Sequence, residues 1–172
     1  RIIAFCLSNV ANSSIDCVGV LTQYESVVLN SYVSNGEIWG FDGVNSKCIA
    51  LPPRQTEEGA NWYDGTADAI YKNLDFLDGE DPEYVLILSG DHIYKTTYKE
   101  MLNTHIKAKA DCTISVLEVP ISEASRFGIL EVDNVDNITK FVEKPKEPKS
   151  NLASMGVYVF SYKALRKALI ED

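Results

Sequence analysis

The segment Tyr84–Ser89 constrains the fold of this chain more than any other. Val85, Leu86, Ile87 and Leu88 are apolar without a break, and Pro82 stands just ahead of them. A strand with one wet face alternates apolar and polar residues. A short unbroken apolar run instead marks a strand covered on both faces, as in an α/β sheet.

The flanking sequence alternates helix and strand. Ile3, Leu7, Val10 and Ala11 recur at helical spacing over Ile2–Asn12, and Ser13-Ser14 stops that helix. Cys17–Leu21 and Lys47–Leu51 read as short buried strands, the second ended by Pro52-Pro53. Gln23–Val33 reads as helix and Gly36–Ser46, rich in Gly, Asn and Asp, as loop. Glu57–Gly65 is polar and irregular. Gly65 or Thr66 then opens a helix with Ala67, Ile70, Tyr71, Leu74 and Leu77 on one face.

After Tyr84–Ser89, Thr96 or Thr97 caps a helix that groups Tyr98, Met101, Leu102, His105 and Ile106. Asp111–Val119 is a strand. Ile129–Val132 and Ile138–Val142 form a strand pair around the turn Asp133–Asn137. Gly156–Phe160 is a strand and Lys163–Ile170 a closing helix. The pattern predicts an α/β domain with a mostly parallel sheet, helices on both faces, and a hairpin that makes the sheet mixed.

The 172 residues suit one domain. The chain opens on Arg1 and ends on a helix with no closing strand, which reads as a piece of a longer protein cut at both ends. A net charge of −9 and a pI near 4.7 argue against nucleic acid as a partner. No run approaches the ~20 apolar residues of a membrane span. Cys6, Cys17, Cys48 and Cys112 form no Cys-x-x-Cys pair and are expected to be buried free thiols, as in a reducing compartment, rather than a zinc site.

The candidate chemistry sits at strand ends. Ligands of open α/β sheets bind beyond the carboxyl ends of strands. Leu88-Ser89-Gly90-Asp91-His92 places a tight-turning glycine and a carboxylate there. Asp91 either holds a divalent cation between itself and a phosphate or caps the following turn; magnesium suits one or two carboxylates. Lys140, Lys144, Lys146 and Lys149 crowd another strand end. Lys144 follows the strand directly and precedes Pro145. At about 4 Å from a phosphate it gains roughly 4 kcal/mol in a partly closed site, against about 0–1 kcal/mol for an exposed pair.

Trp62 and Tyr63 precede the helix start Gly65-Thr66 and either stack on a base or plug the loop. Ser154, among small residues entering a strand, can bond a phosphate or sugar. His105 reads as a core residue, and His92 as one that orients its loop.

Five stretches now carry a resemblance. Leu21-Thr22-Gln23-Tyr24, Trp62–Ala69, Ser89–Tyr94, Phe141–Pro145 and Ser154–Tyr158, in this order, resemble the ADP-glucose pyrophosphorylases (glucose-1-phosphate adenylyltransferases), with a Rossmann-like nucleotidyltransferase domain. That family joins ATP and glucose 1-phosphate into ADP-glucose and pyrophosphate for glycogen or starch synthesis. The resemblance implies Mg²⁺ on Asp91, Lys144 on the sugar phosphate, Glu143 on the sugar hydroxyls, and Ser154 and Tyr158 completing that pocket. It implies Tyr63, Gly65, Thr66 and Gly90 beside the nucleotide, and Gln55 in the response to an activator.

The resemblance also implies that residues 1–172 are part of a catalytic domain. The family's glycine-rich loop would lie before Arg1, and a second metal-binding aspartate and a β-helix domain after Asp172. Ala4 stands where the family usually has Asp. The whole protein would be a homo- or heterotetramer of the bacterial cytoplasm, or of a plastid if from a plant. A non-catalytic regulatory subunit, or an enzyme of different nucleotide specificity, is the alternative.

Overall fold

The structure, a computed structural model, describes residues 2–24, 26–41, 46–56, 59–60, 62–91 and 93–171. Helix α1 (Ile3–Asn12) buries Cys6, Leu7 and Val10 and ends as Ser14 turns left-handed at φ 58°. The strands β1 (Cys17–Leu21) and β2 (Lys47–Leu51) pair in parallel, with α2 (Ser26–Val33) between them in sequence. Both strands match their expected limits.

Gly36–Trp39 is a single 3₁₀ turn, not plain loop. Gly40 closes it at φ 78°, and buried Phe41 anchors it in the core. Within the stretch read as irregular, β3 (Gln55–Thr56) and β4 (Gly59–Ala60) pair antiparallel.

The helix expected from Thr66 onward is two helices, α3 (Thr66–Tyr71) and α4 (Leu74–Glu80). Asn73 breaks it. Its side-chain Nδ2 donates to Ala69 O at 2.8 Å and its backbone N–H to Ile70 O at 3.0 Å, a local competition that suits Asn at a helix end better than inside. Tyr71 consequently points to solvent, half exposed.

The remaining elements are β5 (Tyr84–Leu88), α5 (Lys99–Ala108), β6 (Cys112–Glu118), β7 (Gly128–Val132), β8 (Ile138–Glu143), β9 (Leu152–Ser161) and α6 (Tyr162–Glu171). The start of α5 is held from two sides. Thr97 Oγ1 accepts the Lys99 N–H at 3.5 Å, and Ser13, just after α1, accepts the Tyr98 N–H at 2.9 Å while donating to Asn9 O at 2.7 Å.

Sheet composition differs from the expected balance. The α/β class and the mixed pairing hold, but among the described residues only β1–β2 is parallel. The pairs β5–β9, β6–β9, β7–β8 and β7–β9 are antiparallel. Strand β9 dominates because it starts earlier than expected: Leu152 and Ala153 already pair with both β6 and β7.

Strand β5 is part-buried at every residue instead of fully covered. A cavity of about 540 Å³ is lined by every residue of β1 and of β5. A cavity over one sheet face would touch alternate residues only, so this one runs along the facing edges of the two strands. That open edge explains the partial burial.

One core cluster joins Val10, Phe41, Tyr98 and Val157; another joins Ala124, Ile129 and Ala153. All four cysteines stand outside any disulfide, but only Cys6 is buried. Cys17, Cys48 and Cys112 sit at half-buried strand positions, where burial still pushes each thiol up to about 11. No helix among the described residues is long and apolar enough to cross a membrane.

Candidate active site

Strand β9 has two edges. β6 runs along one of them, pairing from Glu118↔Leu152 to Cys112↔Phe160. The other edge is shared. β5 takes its carboxyl half, Leu88↔Val157 to Tyr84↔Ser161, and β7 takes its start, Ile129↔Ala153 and Leu130↔Leu152. Between them Ser154, Met155 and Gly156 carry no strand partner on that edge among the described residues.

The backbone is shaped for this break. Gly156 has φ 67°, open to glycine and costly for other residues. Opposite it the β6–β9 register shifts between Ile114 and Val116, so β9 carries extra residues in a bulge.

The chain ends that meet at the break carry the polar residues. β5 leaves through Ser89-Gly90-Asp91, and the Ser89 hydroxyl donates to Asp91 Oδ1. β7 enters through Gly128, which pairs with Glu143 at the end of β8. Lys144 follows at φ 45°, its N–H bonded to Phe127 O at 3.0 Å, and its ammonium lies 3.5 Å from Glu143 Oε1. Both side chains are about two-thirds exposed (67% and 63%), so the site stands open to water here.

Ser154 Oγ accepts the Gly156 N–H at 3.2 Å and lies 3.4 Å from Tyr158 OH. Sheet register thus places Asp91, Glu143, Lys144, Ser154 and Tyr158 around one interruption of one edge.

A cleft of about 750 Å³ opens beside it, lined by Thr66, Ser89, Gly156 and Tyr158 with Leu165 and Leu169 of α6. It joins the start of α3 to the end of β5. Gly90 lies instead on the 540 Å³ cavity. Gly65 precedes α3 in extended backbone without lining either space.

Tyr63 is held inward. Its N–H donates to Gln23 Oε1 at 2.7 Å and its hydroxyl to Leu51 O at 3.0 Å, while Asn73 Nδ2 donates to that hydroxyl at 2.9 Å. Trp62 stays half exposed and stacks on Tyr24, centroids 5.7 Å apart. Of the two aromatics, Tyr63 plugs the loop and Trp62 offers a face to solvent. The Gln55 side chain and His92 lie outside the described residues. His105 is core, as expected.

Three residues at or behind the site escaped a reading by type and position. A Cβ on Gly128 would stand 2.6 Å from Phe141 Cζ and 2.9 Å from Glu143 Oε2. A lone glycine opening a strand is the available signal for such a close approach. Asn73, a poor former inside a helical pattern, is the second. Gln23 is the third; its place in a short motif says nothing of its partner.

The nucleotidyl transferase family profile matches residues 1–172. The chain belongs to the nucleotidyl transferase family. Among curated proteins, a glucose-1-phosphate adenylyltransferase of Clostridium acetobutylicum is 56% identical over all 172 residues. Proteins of the same name from Clostridium novyi and Clostridium beijerinckii are 54% and 55% identical. The chain spans 45% of the length of each of these relatives. In this member of the nucleotidyl transferase family the polar sheet ends border the cleft of about 750 Å³.

Proposed function

We propose that the whole protein to which these residues belong transfers an adenylyl group from ATP to glucose 1-phosphate, giving ADP-glucose and pyrophosphate for glycogen or starch synthesis. One observation carries the reading: the break at Ser154–Gly156 in the β9 edge that β5 and β7 share, flanked by the chain ends that bear Asp91 and Glu143-Lys144. The names of the similar clostridial proteins agree with it.

In this reaction a phosphate oxygen of glucose 1-phosphate attacks the α-phosphorus of ATP. The bond to the leaving pyrophosphate breaks. Positioning and charge neutralisation matter more than a covalent nucleophile. Lys144 holds the sugar phosphate, Glu143 accepts from sugar hydroxyls, and Ser154 and Tyr158 close that pocket. On the nucleotide side Thr66 lines the cleft, Gly65 and Gly90 belong to the adjoining turns, and Tyr63 anchors the loop ahead of α3.

Asp91 fits Mg²⁺. It is an exposed carboxylate at a strand end with a hydroxyl beside it, and magnesium takes one or two carboxylates, the remainder being water and phosphate. Bound there, the ion supplies neutralisation of phosphate charge. Gln55 serves the activator response, and the assembly is a homo- or heterotetramer of the bacterial cytoplasm.

The test is Asp91→Asn in the full-length protein, assayed for ADP-glucose formation. Turnover is expected to fall about a hundredfold or more. Near-normal turnover removes Asp91 from the chemistry. A wild-type protein that binds both substrates without turnover is a regulatory subunit instead.

A further inference from the structure

We infer that Asn73 is a positioning residue for the nucleotide loop, acting through the hydroxyl of Tyr63. The inference rests on the reading that Tyr63 stands on the nucleotide side of the site.

The residues of that loop are tied down one by one. Trp62 O accepts from Lys72 Nζ at 2.8 Å, and the Trp62 ring stacks on Tyr24. Tyr63 is bonded at its N–H by Gln23 and at its hydroxyl by Leu51 O and Asn73. The Asp64 N–H donates to Asp68 Oδ2 at 2.9 Å, and the same carboxylate oxygen pairs with Lys72 at 2.8 Å. Most of these ties are exposed and individually weak. The Tyr63 hydroxyl is the exception: it reaches Asn73, only 3% exposed.

Asn73 is where three elements join. Its Nδ2 donates both to Tyr63 and to Ala69 O of α3. The carbonyl that shares the Tyr63 proton, Leu51 O, also accepts the Thr22 N–H at 3.2 Å. The end of β2, the residue after β1 and the α3–α4 junction thus meet at one phenol. Its bonding is directional: Tyr63 donates to Leu51 O and accepts from Asn73. Losing the Asn73 donor frees the ring to tilt about one remaining bond. A loop fixed before binding loses less entropy when the ligand arrives, so a loosened Tyr63 weakens nucleotide binding without touching the sugar pocket. Asn73 Oδ1 makes no protein hydrogen bond among the described residues, but Asn73→Ala also takes the buried donor from Ala69 O and costs some stability.

The experiment uses the full-length protein and steady-state kinetics in both substrates. Asn73→Ala and Tyr63→Phe are each expected to raise KM for ATP roughly three- to tenfold, with KM for glucose 1-phosphate and kcat within about twofold. In KM for ATP the double variant is expected to match Tyr63→Phe, because without the hydroxyl Asn73 has nothing left to act through. Equal rises in both KM values, or additive single effects, overturn the inference in favour of a general structural role.

Tyr63→Ala separates the two layers. If it raises KM for ATP while Asn73→Ala does not, the positioning role fails and the nucleotide reading stands. If Tyr63→Ala leaves KM for ATP unchanged, the nucleotide reading of Tyr63 fails, and the inference with it. Should Asn73→Ala not fold, Asn73→Asp keeps the volume and exchanges donor for acceptor. It is expected to give the same ATP-selective rise, and an unchanged KM for ATP in that variant overturns the inference.

Discussion

Tyr162 donates its phenol proton to Asp78 Oδ1 at 2.6 Å, and Arg166 grips the same carboxylate at 2.8 and 3.1 Å. The contact fastens α6, which lines the cleft, to α4. The Arg166 hydrogen bond, with that of Tyr162, holds Asp78 below the usual carboxylate range. Burial, reinforced by Asp78, pushes Tyr162 up to about 12. A raised phenol favours the neutral form in the fold, so its contribution is full below the unfolded value of about 10 and fades as pH rises to about 12. Tyr162→Phe is expected to flatten that alkaline loss. Asp78→Asn is expected to lower Tm at neutral pH by a few degrees, on the order of 2–4 °C. Thermal melts across the alkaline range check both; identical alkaline slopes for wild type and Tyr162→Phe would sink the assignment.

His105 gives the opposite edge of the pH profile. It is fully buried, with Nδ1 2.8 Å from Thr113 Oγ1 and Nε2 3.1 Å from Ser161 Oγ. Ser161 spends its own proton on Ala110 O, which assigns the ring proton to Nε2 and leaves Nδ1 to accept from Thr113. Burial pushes the imidazole below its ordinary value against the pull of Asp111. The unfolded chain therefore binds a proton below about pH 6.5 while the folded ring stays neutral. Stability falls with pH through that window, down to the depressed folded value. His105→Gln is expected to remove this slope. Urea midpoints between about pH 7.5 and 5.5 measure it.

How much of this was legible follows from what each signal can encode. Cys17–Leu21 and Lys47–Leu51 are readable to the residue because apolar runs with turn or proline stops are local facts. The break at Asn73 is not, since the apolar spacing of Leu74 and Leu77 continues the pattern of Ile70 and hides it. Pairing sense is not local either. The run Val85–Leu88 says that a strand is apolar, not that its partner β9 runs against it. Asp91, Glu143, Lys144 and Ser154 are legible as polar residues at strand ends. Their convergence depends on β5 and β7 sharing one edge of β9, and the short range of hydropathy patterns contains nothing about that.

Gly128 makes a sharp test of the sugar side. An added Cβ falls on the Phe141 ring and the Glu143 carboxylate. Phe141 is 44% exposed and can swing outward, so Gly128→Ala is expected to cost near the low end of overpacking, about 1 kcal/mol. Glu143 has to move as well. In the full-length protein KM for glucose 1-phosphate is therefore expected to rise severalfold while KM for ATP stays put. An unchanged KM for the sugar phosphate would detach Glu143 from that pocket.

Lys144 separates backbone strain from charge. Its φ of 45° is left-handed backbone for a residue with a side chain, a conformation that costs on the order of 1–3 kcal/mol and that glycine adopts freely. Among the described residues its ammonium pairs only with the Glu143 carboxylate, at 3.5 Å and largely in water, a pair worth little to stability. Lys144→Gly is thus expected to hold or raise Tm, and Lys144→Ala to leave it near wild type. Both remove the cation proposed for the sugar phosphate, so both are expected to raise KM for glucose 1-phosphate at least tenfold. The pairing of a steadier fold with weaker binding is what a strained functional lysine requires. A Lys144→Gly protein that melts earlier yet binds glucose 1-phosphate normally would make Lys144 a structural residue of the β8 turn.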